Sequence, residues 1–338
     1  MPIVSTPYES IDEALFVNLN SMLGLDLYLK CEGLNFAGSA KLKAAVEMVG
    51  ALEESGAIGL DSILIESTSG NMGIALSMIA ASKGLPFVCV TDPRCNTGAR
   101  RLIRALGADL RVVTELDPSG GYLGSRIEYI KRLCADDPRY VWINQYTNPG
   151  NWKAHYRRTG PAIARSFPKL DVLFVGTGTA GTLMGCARYF QGRPRPPAIV
   201  AIDTVGSVTF GGMPGPRTIP GLGSSIPSHH LDMRRIDDVV HVAEDDAVRM
   251  CRRLATRGFL FGGSTGTVLS GALDWLADHD PSGQLTAVAI APDLGERYLE
   301  SVYDNDWVLD HLGPGALDLN RRINGGVEST VVPALIDG

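Results

Sequence analysis

The sequence predicts an α/β fold in which parallel strands alternate with helices. Short apolar runs rich in β-branched residues recur along the chain, helical patterns separate them, and most runs are apolar on both faces. Strands that are apolar on both faces are typical of parallel sheets covered by helices. The predicted strands are residues 25–29, 62–66, 86–90, 110–113, 140–144, 172–176, 199–203 and 286–291.

Helical patterns lie between these strands, at residues 40–55, 71–83, 98–106 and 182–190. Ser39 is a residue type that favours the N-cap position, so the first helix is expected to begin directly after it. The stretch 206–228 is rich in Gly and Pro and too long for an ordinary connection, which predicts a functional loop over a site. The tail after residue 313 lacks strong periodicity and is a candidate to wrap a neighbouring subunit.

Length and composition restrict the class of protein. The 338 residues are enough for about two domains, and the shares of apolar residues (45%) and charged residues (20%) are typical of soluble globular proteins. A net charge of −6 gives no support for binding to nucleic acid or to a membrane. We see no signal-peptide pattern and no apolar stretch of membrane-spanning length, so we expect a cytoplasmic protein.

The six cysteines are scattered, and none belongs to a C-x-x-C pair. This spacing argues against a zinc site or a thioredoxin-type motif, and no metal is predicted. Because the cysteine density is also too low for a disulfide framework, we expect free, mostly buried thiols in a reducing compartment.

The first motif with chemical potential is Gly-Ser-Ala-Lys-Leu-Lys at residues 38–43, at the start of a predicted helix. Lys41 would lie where the positive end of the helix dipole disfavours a second positive charge. This field lowers the pKa of the amine and makes it a better imine former. A solvated lysine at a helix start is the alternative, and the motif alone favours it.

The second motif, Ser-Thr-Ser-Gly-Asn-Met-Gly at residues 67–73, follows a predicted strand and opens a helix. Free backbone N–H groups at such a position bind anions, here an amino-acid carboxylate. Thr68 and Ser69 would add hydroxyl donors. An ordinary strand–turn–helix cap is the alternative.

The third motif, Gly-Thr-Gly-Thr-Ala-Gly-Thr at residues 176–182, suits a cofactor phosphate because small residues let the backbone approach an anion. Its glycines also fit G-x-G-x-x-G, but only Asp203 could serve as the ribose partner of a dinucleotide. The fourth motif, Gly-Gly-Ser-Thr-Gly at residues 262–266, opens a further helix. Alone it is most often a turn, so it gains weight only in combination.

In order and spacing, these four motifs resemble the fold-type II pyridoxal-phosphate (PLP) enzymes, the family of cysteine synthase and cystathionine β-synthase. The resemblance covers roughly residues 5–305. It implies two three-layer α/β domains with the site between them, and a homodimer. The implied parts are a large PLP-binding domain (1–41 plus 149–315), a small mobile substrate domain (42–148) and a C-terminal tail (316–338).

The resemblance also implies roles for individual residues. Lys41 stands where the family holds its Schiff-base lysine, and Asn71 stands where an asparagine contacts the phenolic oxygen of PLP and the substrate. Ser264 stands where a hydroxyl meets the pyridine nitrogen. The cofactor phosphate is expected at Gly178, Thr179, Ala180, Gly181 and Thr182. The substrate α-carboxylate is expected at Thr68, Ser69 and Gln145.

Residues 32–35, 38–43, 69–73 and 144–151 are similar to one branch of this family, which makes the precursor of L-2,3-diaminopropionate in siderophore and antibiotic pathways. That branch joins O-phospho-L-serine to L-glutamate, giving N-(2-amino-2-carboxyethyl)-L-glutamate and phosphate. The resemblance therefore implies a β-replacement transferase that acts on small amino-acid substrates. The alternative is a cysteine synthase or cystathionine β-synthase that uses O-acetylserine, phosphoserine or serine with a thiol nucleophile.

Three details bear on the substrates. The phosphate loop carries Thr179-Ala180 where cysteine synthases usually have threonine and then glycine. The hydroxyl of Tyr146 could hydrogen-bond a polar nucleophile, with a packing role as the alternative. Arg217 is a candidate clamp for the phosphate of phosphoserine, with a solvated loop arginine as the alternative.

Two further functions stay open. One is a PLP-binding scaffold without turnover, but the intact set Lys41, Asn71, Gln145 and Ser264 argues against it. The other is an eliminating enzyme that releases pyruvate.

Overall fold

The computed structural model describes residues 3–11, 13–68, 70–117, 121–319 and 321. Within these ranges the chain forms ten strands and eleven α-helices. The strands are β1 (Phe16–Asn18), β2 (Leu27–Cys31), β3 (Ile63–Ser67), β4 (Phe87–Thr91), β5 (Asp109–Val112), β6 (Tyr140–Trp142), β7 (Val172–Gly176), β8 (Ala198–Thr204), β9 (Asp238–Val242) and β10 (Ala287–Ala291). The helices are α1 (Asn20–Leu23), α2 (Lys41–Glu54), α3 (Asn71–Lys83), α4 (Thr97–Ala105), α5 (Leu123–Asp136), α6 (Gly150–Arg157), α7 (Thr159–Ser166), α8 (Gly181–Gln191), α9 (Glu244–Ala255), α10 (Gly263–His279) and α11 (Asn305–Leu312).

The strands form two sheets. The larger sheet has the order β1-β2-β10-β7-β8-β9, in which only β1 is antiparallel to its neighbour. The smaller sheet has the order β5-β4-β3-β6 and is parallel throughout, with Leu64 of β3 opposite Phe87 of β4. Parallel neighbours need crossover connections, and the helices between the strands provide them.

Helices cover both faces of each sheet. In the smaller sheet, α2 and α3 pack on the face that presents Leu64 and Phe87, and α5 packs on the face of Ile65 and Val88. In the larger sheet, α9 and α10 cover one face, whereas α7 and α8 cover the other. Each sheet is therefore the middle of three layers, and the predicted α/β class is confirmed.

All eight predicted strands are present, as β2 to β8 and β10, with ends shifted by a few residues. The helix α3 has the predicted bounds, whereas α4 and α8 begin one residue earlier than predicted. The strands β1 (Phe-Val-Asn) and β9 (Asp-Val-Val-His-Val) were not predicted because the first is only three residues long and polar residues interrupt the second. Neither contains the continuous apolar run that marks a strand buried on both faces.

The prediction that Ser39 caps the first long helix is wrong. The helix α2 begins at Lys41, its N-cap is Ala40, and no side chain caps it. Ser39 instead forms a backbone bridge to Asp293, and its buried hydroxyl has no hydrogen-bonding partner among the described residues. A tertiary contact with the segment after β10 therefore overrides the local capping preference.

All six cysteines are free, and five are buried, as predicted. None of the helices in the described ranges is long and apolar enough to cross a membrane. Most of the C-terminal tail, including its predicted contact with a neighbouring subunit, lies outside the described residues.

Candidate active site

A cavity of about 850 Å³ lies at the carboxyl ends of strands from both sheets. The segments that follow β3, β4, β7, β8 and β10 border it, as do the first residues of α2, α3, α8 and α10. Loops at the carboxyl ends of parallel strands are the usual position for ligand sites in open α/β sheets. Much of the stretch 206–228, predicted to be a loop over a site, forms one wall of this cavity.

The structure brings the predicted site residues together, apart from Ser69, which lies outside the described residues. The predicted site residues that line the cavity are Lys41, Thr68, Asn71, Gln145, Tyr146, Gly178, Thr179, Ala180, Gly181, Thr182, Arg217 and Ser264. They come from positions more than 200 residues apart in the sequence, so only the fold could place them around one volume.

Lys41 is the first residue of α2 and its side chain faces the cavity. Burial lowers the pKa of its amine below the usual range, and the carboxylate of Asp293 partly opposes that shift. A lower pKa leaves more of the amine in the neutral, nucleophilic form. The sequence argument predicted the right direction of the shift, but the cause is burial and not the helix dipole.

Asn71 begins α3 and is held by residues that follow β10. Its Nδ2 donates to Oδ2 of Asp293 at 2.7 Å, and Arg297 donates to its Oδ1. Tyr298 also donates to Oδ2 of Asp293, at 2.6 Å. Burial raises the pKa of the Asp293 carboxyl, and these hydrogen bonds partly oppose that rise.

Asp293, Arg297 and Tyr298 were missed in the sequence, although all three lie next to predicted site residues. A signal was present, because Asp293 is a charged residue two positions after the apolar strand β10. Nothing in the local pattern, however, connects it to Asn71, which lies 222 residues earlier.

The loop at residues 176–182 forms an anion-binding cradle at the start of α8. Ala180 has a φ of 62°, a left-handed conformation that is unusual for a residue with a Cβ. A Cβ on Gly181 would overlap the side-chain oxygen of Asn151, so only glycine fits there. The first N–H groups of α8 have no partners within the helix and can bind an anion.

Side chains of α6 contact two threonine hydroxyls of this cradle. Nδ2 of Asn151 donates to Oγ1 of Thr179 at 2.9 Å. Oγ1 of Thr182 lies 3.2 Å from Nε2 of the buried His155. Both residues lie inside α6. Asn151 belongs to the 144–151 segment that resembles one branch of the family, but neither Asn151 nor His155 was given a role from the sequence.

Ser264, the second residue of α10, lies at another wall of the cavity and is almost fully buried. The loop residue Gly221 approaches it so closely that a Cβ there would overlap its hydroxyl. Gly221 also has a φ of 115°, a conformation that glycine tolerates best. The predicted loop therefore closes directly over the fourth motif.

The two segments predicted to bind a carboxylate are joined to each other. Nε2 of Gln145 donates to the carbonyl of Ser67 at 2.9 Å, and the Tyr146 hydroxyl donates to the same carbonyl at 3.0 Å. The buried Glu66 accepts from the N–H groups of Ser67 and Gln145 at 2.8 and 3.1 Å. Burial raises the pKa of Glu66 to about 7, although these hydrogen bonds oppose the rise. Because the hydroxyl proton of Tyr146 is engaged, this residue offers a ligand only its oxygen as an acceptor.

Arg126 of α5 is a further cavity residue that the sequence did not reveal. It is 7% exposed, and its Nη1 lies 3.2 Å from Oδ2 of Asp92. Its Nε and Nη1 make no hydrogen bonds within the described part of the chain. Arg217 differs, because it is half-buried and donates to the hydroxyl of Ser225 in its own loop at 2.7 Å.

Comparison with known proteins identifies the family. The sequence model of the family described as "Pyridoxal-phosphate dependent enzyme" matches residues 10–293. The chain belongs to this family.

Two relatives and one solved structure illustrate how similar this PLP-dependent enzyme is to known ones. N-(2-amino-2-carboxyethyl)-L-glutamate synthase of Ralstonia nicotianae is 42% identical over 285 residues, which cover 84% of each chain. The protein of the same name from Cupriavidus metallidurans is 38% identical over 307 residues, 89% of this chain and 90% of that one. A hydrogen sulfide-producing enzyme from Fusobacterium nucleatum has a TM-score of 0.82 at 31% identity, covering 88% of this chain and 99% of that one.

These comparisons confirm the predicted fold-type II architecture, the cofactor PLP and the class of enzyme, a PLP-dependent β-replacement enzyme. The residues of the cavity fit the cofactor. Lys41 supplies an amine of lowered pKa, the 176–182 loop supplies a cradle without a Cβ at Gly181, and Ser264 supplies a neutral hydroxyl. The individual contacts that these residues would make with PLP stay predictions.

Proposed function

We propose that this enzyme joins O-phospho-L-serine to L-glutamate, giving N-(2-amino-2-carboxyethyl)-L-glutamate and phosphate. The Cβ–O bond of phosphoserine breaks, and phosphate leaves with the bonding electrons. The nitrogen of glutamate forms the new bond to Cβ and loses one proton. The product would be a precursor of L-2,3-diaminopropionate for a siderophore or an antibiotic.

The observation that supports phosphate as the leaving group is the buried guanidinium of Arg126. Arg126 lines the cavity, and its guanidinium forms an ion pair with Asp92 at 3.2 Å. Its Nε and Nη1 have no hydrogen-bonding partners among the described residues. Leaving charged donors buried without hydrogen bonds is costly, so this site favours a ligand that brings further acceptors beside Asp92. A phosphate dianion matches the planar fork of an arginine, whereas a neutral acetyl ester offers fewer acceptors and no charge.

This assignment differs from the candidate suggested by the sequence, Arg217. Arg217 donates to Ser225 within its own loop and is only half-buried, so its donors are partly satisfied without a ligand. Arg126 therefore has the stronger physical reason to bind the leaving phosphate. Arg217 stays a candidate for a more distant contact in the same cavity.

The chemistry at the α-carbon rests on Lys41. When bound, PLP supplies an aldehyde for the lysine amine and an electron sink for the pair left by the α-proton. With its lowered pKa, the Nζ of Lys41 is suited to take up that proton. Thr68, Ser69, Asn71 and Gln145 would hold the substrate α-carboxylate and so orient the Cα–H bond.

The second substrate must reach Cβ as a neutral amine. Because Tyr146 uses its proton on the carbonyl of Ser67, its oxygen can accept a hydrogen bond from that amine. A cavity of about 850 Å³ has room for the cofactor and both amino acids. The relatives named N-(2-amino-2-carboxyethyl)-L-glutamate synthase support glutamate as the nucleophile.

The proposal includes the organisation expected from the family. A small domain (42–148) would move against a large domain (1–41 plus 149–315), and this closure would exclude water from the reacting atoms. The active form would be a cytoplasmic homodimer.

Product analysis tests the proposed reaction. The purified enzyme is given phosphoserine with glutamate, sulfide, homocysteine or ammonia, and each set is repeated with O-acetylserine. We expect N-(2-amino-2-carboxyethyl)-L-glutamate and equimolar phosphate from phosphoserine with glutamate, with much lower rates elsewhere. Faster formation of cysteine or cystathionine would instead support a thiol-using synthase, and pyruvate alone would indicate elimination.

A further inference from the structure

A chain of buried polar side chains runs behind the phosphate cradle. Nζ of Lys43 lies 2.9 and 3.0 Å from the two carboxylate oxygens of Glu32, and it donates to Oγ1 of Thr159 at 3.3 Å. Thr159 contacts Nδ1 of His155 at 3.0 Å, and Nε2 of His155 contacts Oγ1 of Thr182 at 3.2 Å. An ion pair is thereby connected to a cradle residue through two hydroxyls and an imidazole.

The direction of the hydrogen bond at Thr179 is set by the partners of Asn151. Nδ2 of Asn151 donates one hydrogen to the carbonyl of Gln145 at 2.7 Å and the other to Oγ1 of Thr179 at 2.9 Å. A carbonyl can only accept, so this contact identifies the amide nitrogen. Because the Thr179 oxygen already accepts a hydrogen bond, its own proton is free to point into the cradle.

The imidazole of His155 is neutral in this setting. Burial lowers its pKa to about 3, a shift that Glu32 opposes and that the nearby Lys43, Lys41 and Lys30 enhance. A neutral imidazole donates from one nitrogen and accepts at the other. The tautomer of His155 therefore decides whether the hydroxyl proton of Thr182 points toward the cradle or toward Nε2 of His155.

The contacts of Thr159 are compatible with the arrangement in which Nε2 carries the proton. Oγ1 of Thr159 is closer to Nδ1 of His155 (3.0 Å) than to the carboxylate of Glu32 (3.3 Å), and Lys43 can donate to that oxygen. In that arrangement Thr159 donates to Nδ1 in place of the Glu32 carboxylate, and Nε2–H donates to Thr182. A phosphate at the cradle favours the same arrangement, since an anion needs the Thr182 proton.

We propose that Asn151 and His155 are positioning residues for the cofactor phosphate. By donating to the oxygens of Thr179 and Thr182, they turn both hydroxyl protons toward the phosphate, and Lys43 sets the direction of the chain through Thr159. This arrangement would supply an oriented, charge-assisted set of donors at a cradle whose own residues, 176–182, are all uncharged.

Comparing PLP with pyridoxal, which lacks the phosphate, tests this role. The cofactor is removed from the full-length enzyme with hydroxylamine, and each compound is titrated back while its absorbance is followed. His155→Leu should weaken PLP binding by roughly tenfold or more, the value of a hydrogen bond to a charged group, and should leave pyridoxal binding nearly unchanged. His155→Gln keeps a donor near the Nε2 position and should restore much of the affinity. Equal losses for both compounds, or no loss for PLP, would overturn the proposal.

A double-mutant cycle separates this role from a general effect on folding. If His155 acts through the Thr182 hydroxyl, His155→Leu should cause little further loss of PLP affinity in a Thr182→Val background. A full additional loss would contradict the proposed path. Asn151→Leu with Thr179→Val provides the same comparison for the Thr179 hydroxyl. This second cycle replaces the first as the test if His155→Leu does not fold.

Discussion

Nδ2 of Asn71 donates a 2.7 Å hydrogen bond to Oδ2 of Asp293, and the hydroxyl of Tyr298 donates to the same oxygen at 2.6 Å. The buried carboxylate thus connects the start of α3 with the segment after β10. Since Asn71 lines the cavity, this carboxyl helps to fix the position of a cavity amide.

Removing the Tyr298 hydroxyl should therefore affect activity as well as stability. Tyr298→Phe deprives Asp293 of a donor, which should raise the pKa of that carboxyl further and loosen the amide of Asn71. We expect kcat/KM to fall about tenfold and stability to fall by about 1 kcal/mol. Tyr303→Phe is the matched control. The Tyr303 hydroxyl donates to the carbonyl of Phe261 at 2.6 Å, and Tyr303 does not line the cavity. This variant should lose similar stability with kcat/KM unchanged; a parallel loss of activity would refute the specific role of Tyr298.

The amine of Lys41 should carry the cofactor. In the wild-type enzyme, borohydride reduction followed by peptide mapping should label residue 41. Lys41→Ala should give an unlabelled, folded protein without measurable β-replacement, because no other amine takes its place. Lys83→Ala, on the exposed end of α3, should keep both the label and the activity. A label on another lysine in the wild-type chain would displace Lys41 from its role.

Substitution of Arg126 should change the choice between leaving groups. Arg126→Gln keeps some polarity but removes the charge, so we expect kcat/KM for phosphoserine to fall by about a hundredfold or more. The value for O-acetylserine should change much less, because its acetyl ester is uncharged before the Cβ–O bond breaks and leaves as acetate, a monoanion. Steady-state kinetics with both substrates provide the measurement. Arg217→Gln is the comparison, and a larger effect there would return the phosphate contact to the loop arginine.

Gly181 should tolerate no side chain. Gly181→Ala would push a Cβ into the side chain of Asn151, moving both the start of α8 and the donor to Thr179. We expect PLP affinity to fall at least tenfold in a cofactor titration. Gly50→Ala is the control, since a Cβ there meets no atom within 4 Å and lies within the helix α2. That substitution should raise stability by about 0.5–1 kcal/mol without changing cofactor binding.

The buried carboxyl of Glu66 should make stability depend on pH. Burial raises its pKa from 4.5 to about 7, so the folded chain binds more protons than the unfolded chain between these values. Stability should consequently fall as the pH rises from about 4.5 to 7, by up to about 3 kcal/mol.

Urea unfolding of the wild type and of Glu66→Gln, measured between pH 4.5 and 7, isolates the contribution of the Glu66 carboxyl to the free energy of unfolding. The stability of the wild type relative to Glu66→Gln should decline with rising pH, because glutamine does not titrate. Glu54→Gln, at an exposed position of α2, should leave the pH dependence as it is in the wild type. A difference between wild type and Glu66→Gln that stays constant with pH would show that Glu66 is not protonated in this range.

The sequence by itself determined eight of the ten strands, helices between several of them, the four motifs and, to within a residue, the starts of three helices at the site. These features are local: a buried parallel strand needs an apolar run, and an anion cradle needs small residues where a helix begins. The segments that contain Lys41, Asn71, Ser264 and the 176–182 loop could therefore be found locally, whereas their roles are predictions from the resemblance of the four motifs taken together. The strands β1 and β9 could not, because β1 has only three residues and polar residues interrupt the apolar run of β9.

Only the tertiary structure decided which polar side chains meet inside the molecule. Asp293 reaches Asn71 across 222 residues, Glu32 reaches Thr159 across 127, and Ser39 pairs with Asp293 instead of capping its helix. Arg126 and His155 have their roles because folding buries them beside the cavity and its cradle. Their hydrogen-bonding groups must then find partners among whatever the fold places nearby, and no local periodicity records that outcome.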